Sequence, residues 1–379
     1  MTEPAYPVAR AIAPLVERHF ARHLAAERGR GGQDLAPPPQ ADAIEAVIDA
    51  AFWASLRREE KFPPTISLAY LPPEQAERSI RFEQRLPLAP DALTRLAPAV
   101  ERPGIHLGVW RDGEAFYVWG ATRALPTLCF VLEVIAPGLL VIKHRRSEES
   151  GKFLNVAVLE GDQIKVLDHQ AISMPDCPPL VASLLGFDSP SSSADSVHVL
   201  IRLAVSMRAH GRGGSLLVVP QNTPAWRESM IGPISYAVMP AYSELSELLR
   251  EDPGGRDQRQ WQEALRRAID VVAGLTAVDG AMVLTDQCDL LAFGAKIGRR
   301  EGWAQVERVL RTEPIEGAAA RIVHPGEIGG TRHLSAAQFG QDQRDSVALV
   351  ASQDGRFTVF AWSPPQEMVH AFRIESLLL

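Results

Sequence analysis

Apolar residues recur three or four positions apart in several segments of the chain, which is the period of an amphipathic α-helix. The first two such segments are Ala11–Glu27 and Ala41–Arg58. The same period predicts later helices at Ser196–His210, Tyr242–Arg250, Gln260–Leu275 and Thr331–Gln341, and a short one at Trp303–Leu310. Helices are therefore expected at the start of the chain and throughout its second half.

Between these helical regions, apolar runs are joined by short turns, which predicts β-hairpins. The hairpins are His106–Gly120 with an Asp-Gly turn, Phe130–His144 with a Pro-Gly turn, and Phe153–His169. Residues 63–90 are rich in proline and are predicted to be extended. Strands in such a series predict a mostly antiparallel sheet, which the first two helices would cover.

Strands and helices alternate in the second half, with a buried strand at 215–220 and hairpins at 277–296 and 347–362. The predicted fold is α/β (α+β), with a C-terminal mixed sheet flanked by helices after a mostly antiparallel β domain with N-terminal helices. The serine-rich stretch Asp188–Asp195 predicts a boundary between domains of residues 1–187 and 188–379. Within that stretch, Ser193 or Asp195 is placed to cap the next helix.

Composition narrows the functional classes. The 379 residues are 46% hydrophobic and 22% charged, which is the balance of a globular protein and excludes a disordered chain. No run of 18 residues lacks a charge, so no membrane-spanning segment and no membrane partner are predicted. The net charge of −7 disfavours binding of a nucleic-acid polymer. Met1–Arg10 lacks a basic segment followed by an apolar one, so we expect no secretory signal and a cytoplasmic location.

Several common catalytic signatures are missing from the sequence. It contains no GxxxxGK[ST], GxSxG or HExxH motif, and its three cysteines form no CxxC pair. His19 and His23 lie one helical turn apart, but a metal site needs a third ligand that the sequence does not identify. This pair is therefore predicted to form the polar edge of an amphipathic helix, and the basic cluster Lys143–Arg146 is predicted to be a solvated loop.

Two segments of the second half carry candidate chemistry. Asp279-Gly280-Ala281 opens a predicted strand, where the carboxylate would be free and the glycine would let a ligand approach the backbone. Gly329–His333 leads into a predicted helix, whose N-terminal N–H groups attract anions, and Arg332 and His333 add donors for phosphate. Singly, these segments can also be a turn before a strand and a helix capped by Thr331. Together, a metal-binding carboxylate and an anion site are what nucleotide chemistry requires.

On these residues, the second half of the chain resembles the DisA-type diadenylate cyclase (DAC) domain, which joins two ATP molecules into cyclic di-AMP. The hallmarks of that family are a DGA motif and an RHR motif, which are matched here by Asp279-Gly280-Ala281 and Arg332-His333. The resemblance spans residues 190–375, and the front half resembles the sensor region named DACNV that precedes such domains.

The resemblance implies a role for each matching residue. Asp279 would bind Mg²⁺ or Mn²⁺ and help to activate the ribose 3′-hydroxyl, while Asp354 would assist with the metal. Catalysis would rest on Asp279, Arg332 and His333. The nucleotide would be held by further residues of the two motifs: Gly280, Ala281, Gly330, Thr331 and Ser335.

The chain departs from the family pattern at three points. Leu334 stands where the third motif position is arginine, Gln353 stands where a second acid is usual, and the gap between the motifs is long. Three functions therefore stay open: an active cyclase in which two protomers meet face to face, a nucleotide-binding sensor without turnover, and an interaction protein that keeps only the fold. In the first, the N-terminal domain would respond to an unknown signal and control self-association.

Overall fold

The structure is a computed structural model that describes residues 5–32, 34–58, 63–145, 153–167, 177–184, 194–251 and 258–379. The chain forms two compact units, Met1–Leu167 together with Leu379 (unit 1) and Asp168–Leu378 (unit 2). The predicted boundary between residues 187 and 188 lies outside the described residues, as do the side chains of the candidate caps Ser193 and Asp195.

Unit 1 packs helices against one face of a sheet. Its helices are α1 (Pro7–Gly29), α2 (Ala41–Ser55) and α3 (Pro90–Val100). The first two were expected from their periodicity, and they bury Ile12, Phe20, Ile44 and Ile48 in the same apolar core as the strands. α3 was not predicted, although Pro90 at its first turn is a favourable helix start.

The sheet of unit 1 has eight strands in the described residues, in the spatial order β2-β4-β3-β1-β5-β6-β7-β8. The strands are β1 (Ile66–Tyr70), β2 (Ile80–Pro87), β3 (His106–Asp112), β4 (Ala115–Thr122), β5 (Phe130–Ala136), β6 (Leu139–Arg145), β7 (Phe153–Glu160) and β8 (Gln163–Val166). Only the β1–β3 pair among these is parallel, so the mostly antiparallel prediction is confirmed.

The predicted solvated loop at Lys143–Arg146 is wrong for the part that the structure describes. Lys143 and His144 are buried in β6, and the Lys143 ammonium lies 2.6 Å from the Glu133 carboxylate of β5. The ion pair lets the amphipathic lysine enter a sheet without an unpaired buried charge.

Unit 2 is a mixed sheet with helices. The helices are α4 (Pro179–Leu184), α5 (Ala194–Ala209), α6 (Glu244–Arg250), α7 (Gln258–Leu275) and α8 (Thr331–Asp342). The strands are β9 (Gly214–Val219), β10 (Tyr236–Tyr242), β11 (Ala281–Thr285), β12 (Leu290–Ala295), β13 (Val309–Thr312), β14 (Arg321–Val323), β15 (Val347–Ala351), β16 (Phe357–Ser363) and β17 (Met368–Arg373). Their spatial order is β10-β12-β11-β9-β15-β16-β17-β13-β14.

In this sheet, two strands begin and two strands end at the same end of the sheet, next to one another. β9 and β11 are parallel, with Ser215 opposite Ala281, and β12 and β15 run antiparallel to them. As a result, β9 and β11 begin where β12 ends at Ala295 and β15 ends at Ala351. The mixed α/β architecture is thus as predicted, and among the described residues no helix is long and apolar enough to cross a membrane.

The predicted short helix at Trp303–Leu310 is wrong. Residues 303–308 have no regular structure, and Val309 begins β13. The Gln338 side chain of α8 accepts a hydrogen bond from the Val306 N–H at 2.9 Å and donates one to the Ala304 carbonyl at 3.1 Å. Because a side chain satisfies these backbone groups, the segment needs no regular secondary structure and still buries Val306.

Candidate functional site

A cavity of about 440 Å³ opens where the four strand ends of unit 2 meet the start of α8. Its walls include all the predicted site residues of both motifs: Asp279, Gly280, Ala281, Gly330, Thr331, Arg332, His333 and Ser335. Further wall residues were not predicted: Ser215, Ile231, Ala295, Lys296, Ile297, Ala351 and Ser352. The two motifs, which are about fifty residues apart in the chain, thus face one space.

The Asp279 carboxylate lies at the mouth of the cavity, with its side chain 81% exposed. Its Oδ2 atom is 2.5 Å from the Lys296 ammonium just after β12. The hydrogen bond and charge of Lys296, and to a lesser degree the charge of Arg332, lower the pKa of Asp279. The carboxylate is therefore ionised at neutral pH, which is the state in which a carboxylate can bind a cation.

Gly280 is required by the neighbouring strand. Its φ is +118°, and a Cβ built there would lie 2.5 Å from the carbonyl carbon of Gly294 in β12. Any side chain would push the two strands apart at the point where Ala281 pairs with Ala295. The glycine thus keeps Asp279 and Lys296 within reach of each other.

The first turn of α8 forms another wall. Gly330 is the N-cap residue and provides no capping side chain, while Thr331 is the first helical residue. The alternative of Thr331 as a capping residue is therefore wrong. The first N–H groups of a helix have no partner within the helix, and the helix dipole makes this end positive. An anion in the cavity would meet these groups.

Arg332 extends from this turn towards the glycine-rich loop before β9. A Cβ at Gly213, whose φ is +70°, would lie 3.0 Å from the Arg332 Nη1 atom. The loop therefore leaves space for the guanidinium beside the backbone, which is a use of Gly213 that the sequence did not indicate. Arg332 and Lys296 give the cavity two cationic side chains.

His333 differs from Arg332, because its side chain is only 2% exposed. A Cβ at Gly329 would lie 2.3 Å from its Nδ1 atom, and its ring meets Phe360 edge-on with the centroids 6.1 Å apart. Burial lowers the pKa of His333, so the imidazole is neutral at neutral pH. Its buried Nε2 atom has no hydrogen-bond partner among the described residues. His333 is thus placed as a neutral group of the inner wall.

Asp354 lies in the β15–β16 turn and is not among the residues that line the cavity. Its Oδ2 atom is 3.3 Å from the Arg356 guanidinium, and a hydrogen bond from Ser352, followed by smaller effects of Arg356, lowers its pKa. The amide of Gln353 donates to the Arg212 carbonyl at 3.3 Å. Leu334 is partly buried against the core of unit 2. Of the two predicted metal ligands, the structure therefore brings only Asp279 to the cavity.

Lys296 is the most informative residue that sequence reasoning missed. The predicted hairpin 277–296 contained the signal, since the ends of an antiparallel pair face each other and Lys296 ends the predicted strand that returns beside Asp279. Ser215 and Ser352 gave no such signal, because their positions depend on the long-range pairing of β9 with β15.

A comparison with protein families gives a match in the front half of the chain. Residues 33–123 match the family model described as a probable sensor domain, DACNV. The match extends from α2 to β4, and it confirms the expected sensor-region likeness for this part of unit 1. No curated protein matches the chain. The cyclase resemblance of unit 2 therefore stays a prediction.

Proposed function

We propose that unit 2 is a DAC-type nucleotide-binding domain and that the protein is a diadenylate cyclase, which condenses two ATP molecules into cyclic di-AMP and releases pyrophosphate. The observation that carries the proposal is the single cavity that joins the Asp279 carboxylate, the uncapped start of α8 and two cationic side chains. A volume of about 440 Å³ falls within the range of small-molecule sites. The DACNV match at residues 33–123 agrees with a sensor region ahead of such a domain.

The cavity is suited to a triphosphate. The backbone N–H groups of Thr331 and Arg332, at the positive end of α8, would donate hydrogen bonds to phosphate oxygens. The Arg332 guanidinium would donate further, charge-assisted hydrogen bonds. Lys296 would supply the cation that the family pattern places at position 334. The buried, neutral His333 would shape the inner wall and donate one hydrogen bond.

The donor set fits Mg²⁺ or Mn²⁺ bound together with the nucleotide. Such ions use one or two protein carboxylates and complete their shell with water and phosphate oxygens. Asp279 would hold the ion, and Asp354 would join it after leaving Arg356. When bound, the ion neutralises charge on the reacting phosphates.

In the reaction, the ribose 3′-oxygen of one ATP forms a bond to the α-phosphorus of the other. The bond from that phosphorus to the bridging oxygen breaks, pyrophosphate leaves with the electron pair, and the hydroxyl proton passes to solvent. A general base works best with a pKa near the working pH. Because the pKa of Asp279 is lowered, we assign it to orienting the hydroxyl and holding the ion.

A second protomer is required, because one chain holds one nucleotide and both riboses must react. Two equivalent half-sites imply a two-fold contact. Unit 2 has exposed apolar side chains: Ile231, which lines the cavity, is 60% exposed, and Tyr236 and Met239 of the edge strand β10 are 51% and 88% exposed. We define these three residues as the β10 patch and propose that it forms the face-to-face contact.

A nucleotide receptor without turnover is the second candidate. It is favoured by the Asp354 side chain, which pairs with Arg356 outside the cavity wall, and by the neutral residues Leu334 and Gln353. Loss of one charged partner at a phosphate costs about 1.5–3 kcal/mol, or roughly ten- to a hundredfold in binding.

The deciding experiment incubates the full chain with ATP and Mn²⁺ or Mg²⁺ and measures cyclic di-AMP and pyrophosphate by mass spectrometry. The test variant is Asp279→Asn. The matched control is Asp270→Asn, which changes an exposed aspartate of α7 outside the cavity. We expect product with the wild type and the control, and none with Asp279→Asn.

Calorimetry with ATP separates the alternatives. ATP binding without product would replace the cyclase by the receptor. Neither binding nor product would overturn both candidates and leave an interaction protein that keeps the fold.

A further inference from the structure

Three histidines of unit 1 lie together between α1 and β6. His19 and His23 are one turn apart on α1, and His144 comes from β6. The ring centroids are 4.0 Å apart for His19 and His23, 5.5 Å for His19 and His144, and 5.6 Å for His23 and His144. One ring nitrogen from each residue lies within 4.8 Å of the other two. The fold thus supplies the third histidine that the sequence could not identify.

The cluster is enclosed on one side and open on the other. His19 and His144 are 8% and 3% exposed, so the predicted polar edge does not describe His19. The buried ring of Phe20 meets His144 edge-on and forms an apolar wall, while His23 is half-buried. A small ion could therefore enter from the His23 side.

Two of the imidazoles are oriented by backbone carbonyl groups. The Nδ1 atom of His23 lies 2.8 Å from the His19 carbonyl oxygen, and that of His144 lies 3.2 Å from the Arg145 carbonyl oxygen. An Nδ1–H that donates to a carbonyl leaves the Nε2 lone pair for a metal, and this outer hydrogen bond is typical of metal-binding histidines.

We propose that His19, His23 and His144 form an exchangeable binding site for a divalent transition metal of the Zn²⁺ class. Neutral imidazole nitrogens suit Zn²⁺ and its neighbours, whereas Mg²⁺ and Ca²⁺ prefer oxygen ligands. Zinc–nitrogen bonds of 2.0–2.1 Å in a tetrahedral site set nitrogens about 3.3 Å apart, so metal binding would draw together nitrogens that now lie within 4.8 Å of one another. Three protein ligands leave the fourth position to water or to an added group.

The site goes beyond the nucleotide chemistry proposed for unit 2 and does not depend on it. Its three residues flank the segment 33–123 that matches the sensor family, without belonging to it. The metal would join α1 to the sheet of unit 1, and metal binding would therefore stabilise this unit.

The test uses the full chain after removal of metals with a chelator. Co²⁺ is titrated by visible absorption and Zn²⁺ by calorimetry, and unfolding of unit 1 is followed by hydrogen exchange of β6 with and without Zn²⁺. The variant is His23→Gln, because the half-exposed His23 is the member least needed for packing. The matched control is His324→Gln, an exposed histidine of unit 2.

We expect one tetrahedral Co²⁺ spectrum per chain, displacement by Zn²⁺, and slower exchange of β6 with Zn²⁺ but not with Mg²⁺. Loss of a direct ligand in His23→Gln should weaken binding by more than the 10–100-fold that is typical for loss of an outer-shell partner. Equal affinity of His23→Gln and His324→Gln, or no Zn²⁺ binding by folded wild-type protein, would overturn the site.

Discussion

Lys296 illustrates how one side chain determines the character of the candidate site. It holds the Asp279 carboxylate at 2.5 Å and is the largest cause of the lowered pKa of that group. The same ammonium would be available to a bound phosphate, because more than half of the Lys296 side chain is exposed. A residue without a motif of its own thus lowers the pKa of the aspartate and adds a positive charge to the cavity.

The change Lys296→Met should therefore have two effects. The pKa of Asp279 should rise towards its usual value, as measured by carboxyl NMR, because the hydrogen bond and the charge are both lost. ATP affinity should fall roughly 10–100-fold, since a charged hydrogen bond to phosphate contributes about 1.5–3 kcal/mol. The control Lys165→Met alters a lysine of unit 1 and should leave both values unchanged. Unaltered ATP affinity in Lys296→Met would remove Lys296 from the proposed phosphate site.

The close approach of Gly280 to the neighbouring strand predicts that any side chain at this position destabilises unit 2. In Gly280→Ala, the new methyl group would meet the Gly294 backbone at a φ of +118°, so we expect a loss of at least about 1–3 kcal/mol in the free energy of unfolding. Gly274→Ala is the matched control, because nothing lies within 4 Å of its Cβ position in α7 and alanine is the better helix former. Urea unfolding should show the first variant less stable than the wild type and the second equally or more stable.

At the scale of elements, helix α8 has two structural roles. Its N-terminus forms one wall of the cavity, and its Gln338 side chain is hydrogen-bonded to Val306 and Ala304 of the irregular segment 303–308. One helix therefore carries both Arg332 of the cavity wall and the hydrogen-bond acceptor of Val306. A change that moves α8 would therefore alter both the cavity wall and the packing of the segment 303–308.

Gln338→Met should leave the buried Val306 N–H without its acceptor, which costs about 1–3 kcal/mol of unfolding free energy. Gln341→Met is the matched control, since the Gln341 amide also donates to the Ala304 carbonyl, at 2.9 Å, but is exposed to water. Faster hydrogen exchange of Val306 in Gln338→Met alone is the expected result. Equal exchange in the two variants would show that the segment is held by its apolar contacts.

These elements also show how far the sequence could predict the structure. The long amphipathic helices and the hairpins with tight turns were predictable, because their signals are local. The segment Trp303–Leu310 was not, because a distant glutamine satisfies its backbone. β10 and β13 also escaped prediction, the first because Pro240 interrupts it and the second because it is only Val309–Thr312. The candidate site residues of the two motifs were chosen from their sequence pattern and the family resemblance, whereas the places of Lys296 and Ser215 in the cavity wall depend on the register of the sheet.

At the scale of the whole molecule, the β10 patch predicts self-association. Met239→Glu places a charge on its most exposed member, and we expect a smaller assembly in sedimentation velocity and, if the cyclase proposal holds, loss of cyclic di-AMP formation. The matched control is Ile322→Glu on β14, which is 55% exposed at the opposite edge of the sheet. If Ile322→Glu and not Met239→Glu reduced the size of the assembly, the self-association contact would have to be assigned to the β14 edge of the sheet.

Unit 1 should lose stability in acid. Burial is the main cause that lowers the pKa of His106 to about 4, with Glu133 raising it and Lys143 lowering it by less. In the unfolded chain this pKa is about 6.5, so only the unfolded state takes up the proton as the pH falls below that value. The contribution of neutral His106 to the free energy of unfolding is therefore fully present above about pH 6.5 and declines as the pH falls to about 4. At pH 5 the free energy of unfolding should be roughly 2 kcal/mol lower than at pH 7.5 because of this group.

Hydrogen exchange of β3 and β4 at pH 7.5 and pH 5.0 measures this decline. His106→Gln should show a smaller decline than the wild type, because it removes the titrating group. His324→Gln should keep the full decline, since His324 is exposed and belongs to unit 2. An equal decline in all three proteins would assign the acid sensitivity to other groups.

The strand ends that meet at the cavity also determine at which stage of folding the site can form. Its walls come from six stretches of chain, at residues 215, 231, 279–281, 295–297, 330–335 and 351–352, so most of unit 2 must be assembled before a ligand finds its contacts. Pairings between residues so distant in the chain are slow to form and are completed late in folding. A ligand of this cavity would then bind the finished unit and not its precursors. It would slow unfolding of the whole unit more than it would speed folding.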